Sequence, residues 1–192
     1  MKDIIVKAFN ESIRVKRAFL RDNTETLVQV VDTIVTAFRN GTKLMLFGNG
    51  GSAADAQHIA AEFTNRFRVE RPPLPALALT TDTSALTAIS NDYDYSLVFA
   101  KQVQALGKPG DVVLAISTSG NSANVLAAVE VCRARKISTI GLTGGTGGKL
   151  AGKVDHLLCV AASHDTARIQ ETHILIGHVI CELVDSALYQ VV

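Results

Sequence analysis

The residues best suited to chemistry lie in two places along the chain. The first is Gly48-Asn49-Gly50-Gly51-Ser52, which runs into a helical segment carrying His58 and Glu62. These two are four residues apart and so share a helix face. The second is the late segment ARIQETHILIGHVICELVDSAL, where His173 and His178 stand among apolar residues. A carboxylate and an imidazole facing each other across a sugar can move a proton between adjacent carbons. Either late histidine could meet Glu62 across the fold, or be a satisfied core residue. The pair His58 and Glu62 could equally be a surface hydrogen bond, but its helix leaves a glycine loop, which favours a site.

A third polar stretch, Ser117-Thr118-Ser119-Gly120-Asn121-Ser122, follows an apolar run and leads into another helix. Glycine lets backbone approach a ligand closely, and a helix N-terminus offers free N–H groups. With neutral hydroxyls added, both loops suit a phosphate or a polyhydroxyl chain. Serine, asparagine and glycine are also ordinary caps and turn residues. Neither loop is a nucleotide fingerprint. Gly48, Gly50 and Ala53 match the dinucleotide spacing weakly. No acid closes the next strand, although Asp82 follows it, and the P-loop lysine is absent.

These residues need elements to place them. The short apolar runs KLMLFGN, ALALT, VVLAIST, STIGLTG and HLLCVAA each meet Gly, Ser, Thr or Asn at or just past their C-terminal ends. Helical segments lie between and after them, at 53–66, 83–90, 96–106, 122–135 and 166–189. Unbroken apolar strands are buried on both faces, and alternation with helices implies a parallel sheet covered on both sides. The expectation is a three-layer α/β/α sandwich with a five-stranded parallel sheet, in which ligands bind beyond the strand ends. Two amphipathic helices precede it. One carries Ile5, Phe9 and Ile13; the other carries Leu27, Val31, Ile34, Val35 and Phe38 and stops at Asn40-Gly41. Their apolar faces need cover from the sheet or from another subunit. Arg71-Pro72-Pro73 and Lys108-Pro109-Gly110 read as surface loops.

The 192 residues suit one domain. With 19 basic against 18 acidic residues the net charge is +1. Nothing global points to nucleic acid or a membrane surface. No run of about 18 apolar residues suggests a spanning helix, and the N-terminus does not read as a signal peptide. Cys132, Cys159 and Cys181 form no C-x-x-C pair and read as three buried thiols of a reducing cytoplasm.

GNGGSAADAQH, NDY, ISTSGNS, LTGGTGGKLA and RIQETHILIGH together resemble the phosphoheptose isomerases of the sugar isomerase (SIS) family over nearly the whole chain. The resemblance implies a single SIS domain over 1–192, with 1–40 a helical extension used in oligomerisation. It implies conversion of sedoheptulose 7-phosphate into D-glycero-D-manno-heptose 7-phosphate, a step toward lipopolysaccharide core, in the cytoplasm. A homotetramer with shared sites is implied as well. Asn49, Gly50, Gly51 and Ser52 would contact the sugar, with Asn91, Asp92 and Gln170. Ser117, Thr118, Ser119 and Ser122 would cradle the phosphate. Glu62 would be the base, itself touching substrate, and His178 the partner acid. His58, Glu62, Gln170 and His178 would hold one Zn2+ per subunit. Gln170 and His178 are eight residues apart and off one stripe, a strain that ligands from two subunits would relieve. Some SIS relatives instead bind the bacterial replication initiator; the acidic Glu62 favours the enzyme. A sugar phosphate of another length is a further reading. The basic run Arg66, Arg68 and Arg71 reads as a solvated loop edge, with a phosphate contact from Arg66 as the other reading.

Overall fold

The computed structural model describes residues 1–189. Five parallel strands form one sheet: β1 (Leu44–Gly48), β2 (Ala76–Ala78), β3 (Val112–Ser117), β4 (Ser138–Gly144) and β5 (His156–Val160). Their order is β2-β1-β3-β4-β5. β1 and β3 are buried throughout, as their unbroken apolar runs require. The order reverses between β1 and β3, so their carboxyl ends open the crevice where such sheets take ligands.

Helices cover both faces. On one side α1 (Lys2–Arg39), α2 (Gly51–Thr64) and α6 (Thr166–Tyr189) enclose a core built on Ile34, Phe63, Leu46, Leu114 and Ile176. On the other, α4 (Val98–Leu106) and α5 (Ala123–Ala134) pack on Phe47, Met45 and Val113, with α3 (Thr83–Asp92) at the rim. Phe47 and Phe99 stack there, ring centres 5.2 Å apart. The three-layer sandwich is as expected.

Two expectations change. The N-terminal region is one helix of 38 residues, not two. No Pro or Gly occurs before Gly41, so nothing ends the helix between the two apolar runs. At the polar stretch between them, Asn23 turns its amide back to the Phe19 carbonyl at 3.1 Å. The stop at Asn40-Gly41 holds. The loop Arg71-Pro72-Pro73 exposes its prolines but buries Arg71, which is no solvated edge. Arg66 and Arg68 are exposed as expected. Among the cysteines, Cys132 and Cys181 are buried, whereas Cys159 is partly exposed.

Candidate active site

The glycine loop is the turn between β1 and α2. Gly50 sits at φ 55, a left-handed conformation that favours glycine, and α2 begins one residue later. The helix thus starts inside the loop, and Ser52, buried in its first turn, donates its N–H to the Asn49 carbonyl. The serine loop is the turn between β3 and α5. It presses on the loop after β4 so closely that a Cβ on Gly120 would stand 1.8 Å from the Gly147 carbonyl oxygen. Ser117 and Ser122 face each other with hydroxyls 3.1 Å apart, and the Ser119 hydroxyl accepts from the Asn121 N–H at 3.2 Å.

Asn124, buried at the start of α5, couples the two loops. Asn49 donates to its side-chain oxygen at 2.9 Å, and Asn124 donates back to Asn49 at 2.8 Å. The Tyr95 hydroxyl also donates to Asn49, at 3.2 Å. Asn49 Oδ1 thus has two donors and Nδ2 gives one hydrogen to Asn124, which leaves the second Nδ2 hydrogen free for a ligand. Asn91 and Asp92 lie at the exposed end of α3, bonded to each other at 2.9 Å. Asp82, just after β2, caps α3 by accepting from the Ala85 N–H. Beside the serine loop a polar cavity of about 260 Å³ is lined by Thr118, Ser119, Thr146, His164 and Thr166.

The titratable residues meet between α2 and α6. His58 Nε2 is 3.1 Å from Glu62 Oε1 and 3.4 Å from His178 Nε2. One ligand atom from each of the three lies within 4.8 Å of the others. Three lone-pair donors facing one point repel one another unless a proton or a cation lies between them. The Phe67 ring stacks on His178 at 5.5 Å, and the His58 ring meets it edge-on at 5.0 Å. Asp55 stands one turn before His58 with a buried oxygen that has no partner among the described residues. Burial raises its pKa, opposed by the nearby charges of His58 and His178.

The late histidines part company. His173 is fully buried and donates Nε2–H to the Thr143 carbonyl at 3.0 Å. His178 is the one that joins Glu62. Gln170 is set apart: its Nε2 lies 2.6 Å from where a Cβ on Gly51 would stand, seven residues before His58. Seven residues are about 10 Å of helix.

Sequence reasoning did not single out Asn124, Tyr95 or Asp55. Asn124 and Tyr95 act across the fold and leave no spacing to read. Asp55 lies at i−3 from His58 and could have been flagged.

A SIS-domain family model matches residues 8–144, and the chain belongs to the SIS family. A phosphoheptose isomerase of Thermodesulfovibrio yellowstonii is 54% identical over 191 residues, covering 100% of this chain and 94% of that protein. The structure of a phosphoheptose isomerase from Neisseria gonorrhoeae matches with a TM-score of 0.91 at 49% identity, covering 96% and 98% of the two chains. One from Francisella tularensis matches at 0.92 and 42%, covering 96% and 97%. Within the SIS family the chain stands among the phosphoheptose isomerases, and it is an isomerase.

Proposed function

We propose that the chain converts D-sedoheptulose 7-phosphate into D-glycero-D-manno-heptose 7-phosphate through an enediolate. The observation that carries this reading is the meeting of the Glu62 carboxylate with the His178 and His58 imidazoles in a fold shared with phosphoheptose isomerases. Isomerisation takes a proton from C1 and returns one to C2. A carboxylate has two oxygens; the Glu62 oxygen that does not face His58 carries the proton. With Nε2 free of metal, His178 serves the sugar oxygens as acid; were a metal to take that nitrogen, the ion would stabilise those oxygens in its place. The hydroxyls of Ser117, Thr118, Ser119 and Ser122 hold the phosphate, and Asn49 offers its amide to the sugar between them. Gly50, Gly51 and Ser52 line its path, with Asn91 and Asp92 closing the rim.

The same cluster fits a zinc ion. Zinc holds His nitrogen at about 2.0–2.1 Å, so neighbouring tetrahedral donors stand about 3.4 Å apart. The 3.1 and 3.4 Å separations are of that size. His58, Glu62 and His178 would hold one Zn2+ per chain, and we assign the fourth position to Gln170 of a neighbouring copy. When bound, the ion supplies Lewis-acid stabilisation of the charge that develops on the sugar oxygens.

Assembly into a homotetramer has support in α1. Ile5, Phe9 and Ile13 are 58%, 69% and 47% exposed in a row on its first half. An apolar row of this kind marks an interface. Phe9→Asp should lower the mass seen by sedimentation, and an unchanged tetramer would remove this face from the interface. We place the protein in the cytoplasm, in line with the three free cysteines. No helix among the described residues is long and apolar enough to cross a membrane.

The deciding experiment incubates purified protein with sedoheptulose 7-phosphate and follows the aldose product. Product formation that stops on chelation and returns with Zn2+ is expected. No product with metal-loaded protein would overturn the reading.

A further inference from the structure

The helices α2 and α6 run side by side, held in register by several contacts from α2 and the loop after it, the exposed pair Arg68–Glu182 among them. Gln170 meets Gly51, and Ile59 lies so close to Gly177 that a Cβ there would stand 2.5 Å from it. A further contact is ionic and buried: Arg71 Nε donates to Asp185 Oδ1 at 2.9 Å, with side chains 1% and 4% exposed.

The separation of His58 from Glu62 follows from α-helix geometry, since both stand on α2. The 3.4 Å from His58 to His178 does not. It depends on how two separate helices are held. Arg71 acts at that point. Its remaining N–H groups donate to the carbonyls of Glu62 at 2.9 Å and Phe63 at 2.7 Å, and to those of Asn65 and Pro72 at 3.2 Å. These include carbonyls that the end of a helix leaves unpaired. One of them belongs to Glu62 itself. Asp185 is seven residues beyond His178, two turns along nearly the same face.

Resting on the proposed reaction centre, we infer that Arg71 and Asp185 are a positioning pair, which clamps the end of α2 to α6 and sets how far Glu62 and His58 stand from His178. Stability is a poor reason for such a pair. Buried ion pairs replaced by apolar groups of similar volume are often neutral or better. Asp185 also leaves Oδ2 buried without a partner among the described residues. What the guanidinium adds is direction: a rigid fork reaches carbonyls on one helix and a carboxylate on the other, and lysine has no such fork.

The test is the double variant Arg71→Met/Asp185→Leu, which strands no buried charge, with Arg71→Lys beside it. Both are compared with the parent by thermal melting, by crystal structure and by Co2+ titration of metal-free protein, read from the cobalt absorption bands. The double variant leaves no charge unpaired but uncaps the carbonyls at the end of α2, so it should melt below the parent yet stay folded, while its His58–His178 separation leaves the parent value. Co2+ affinity should fall about 10–100-fold, the usual effect of losing groups that orient metal ligands. On sedoheptulose 7-phosphate kcat should fall with KM little changed, because the phosphate loops lie on other elements. Arg71→Lys should behave like the double variant. A folded double variant with parental spacing and Co2+ affinity would overturn the inference. So would a double variant that does not fold, since the pair would then be structural. If the parent itself neither binds Co2+ nor turns over, the proposed function fails, and the crystal spacing still decides whether the pair positions these side chains.

Discussion

His173 and His178 stand five residues apart on one helix, roughly 140° around it, in opposite surroundings. The face with His173 lies on the sheet. There the imidazole is 0% exposed, is tied to the end of β4, and burial pulls its pKa down to about 4. The face with His178 looks toward α2, where the ring is half-buried and meets His58, Glu62 and Phe67. One region holds its histidine neutral to fasten a helix to the end of β4. The other leaves its histidine open to a ligand. The residue type is the same; the neighbouring element assigns the role.

Changes on the α2 side should alter turnover, and changes beneath α6 should alter stability. The largest effect is expected from Glu62→Gln, which keeps size but cannot take a proton. Turnover should drop by about 10²–10⁴ with the melting temperature unchanged; near-parental turnover would remove Glu62 as the base.

Next comes the acid stability of the inner region. His173 has a pKa of about 4 when folded, against about 6.5 when unfolded. Between these values the unfolded chain takes up a proton that the folded chain refuses. The contribution is therefore full above pH ~6.5 and lost progressively as the pH falls toward 4, by about 3 kcal/mol. Denaturant melts at pH 7 and 5 should show about 2 kcal/mol of this loss in the parent and a smaller one in His173→Gln. Equal losses would mean that His173 does not govern it.

The smallest effect belongs to the phosphate loop. Ser119→Ala removes one neutral hydroxyl, worth about 0.5–1.5 kcal/mol. It should raise KM for the sugar phosphate and spare kcat. If binding is unchanged and only stability drops, the hydroxyl serves the Asn121 turn alone.

Several features were legible in the residues by themselves. The apolar runs marked all five strands, most plainly β1 and β3, because a strand covered on both faces has no polar side to show. The glycine and serine loops marked the strand ends, and the spacing of His58 and Glu62 placed them on one helix face. Even the single long α1 was present in the chain, in the absence of any Gly or Pro before Gly41, although two apolar stripes suggested a pair of helices. Other assignments waited for the tertiary structure, because they rest on contacts between residues remote in sequence. Periodicity could not choose between His173 and His178, since both lie in apolar surroundings and only packing shows which faces α2. It could not place Gln170 at Gly51, or join Asn49 to Asn124 across 75 residues. Nor could it turn Arg71 inward: a basic residue beside two prolines reads as surface until Asp185, 114 residues later, is folded against it. Local pattern reports which face of an element is apolar; only the packed fold decides what that face meets.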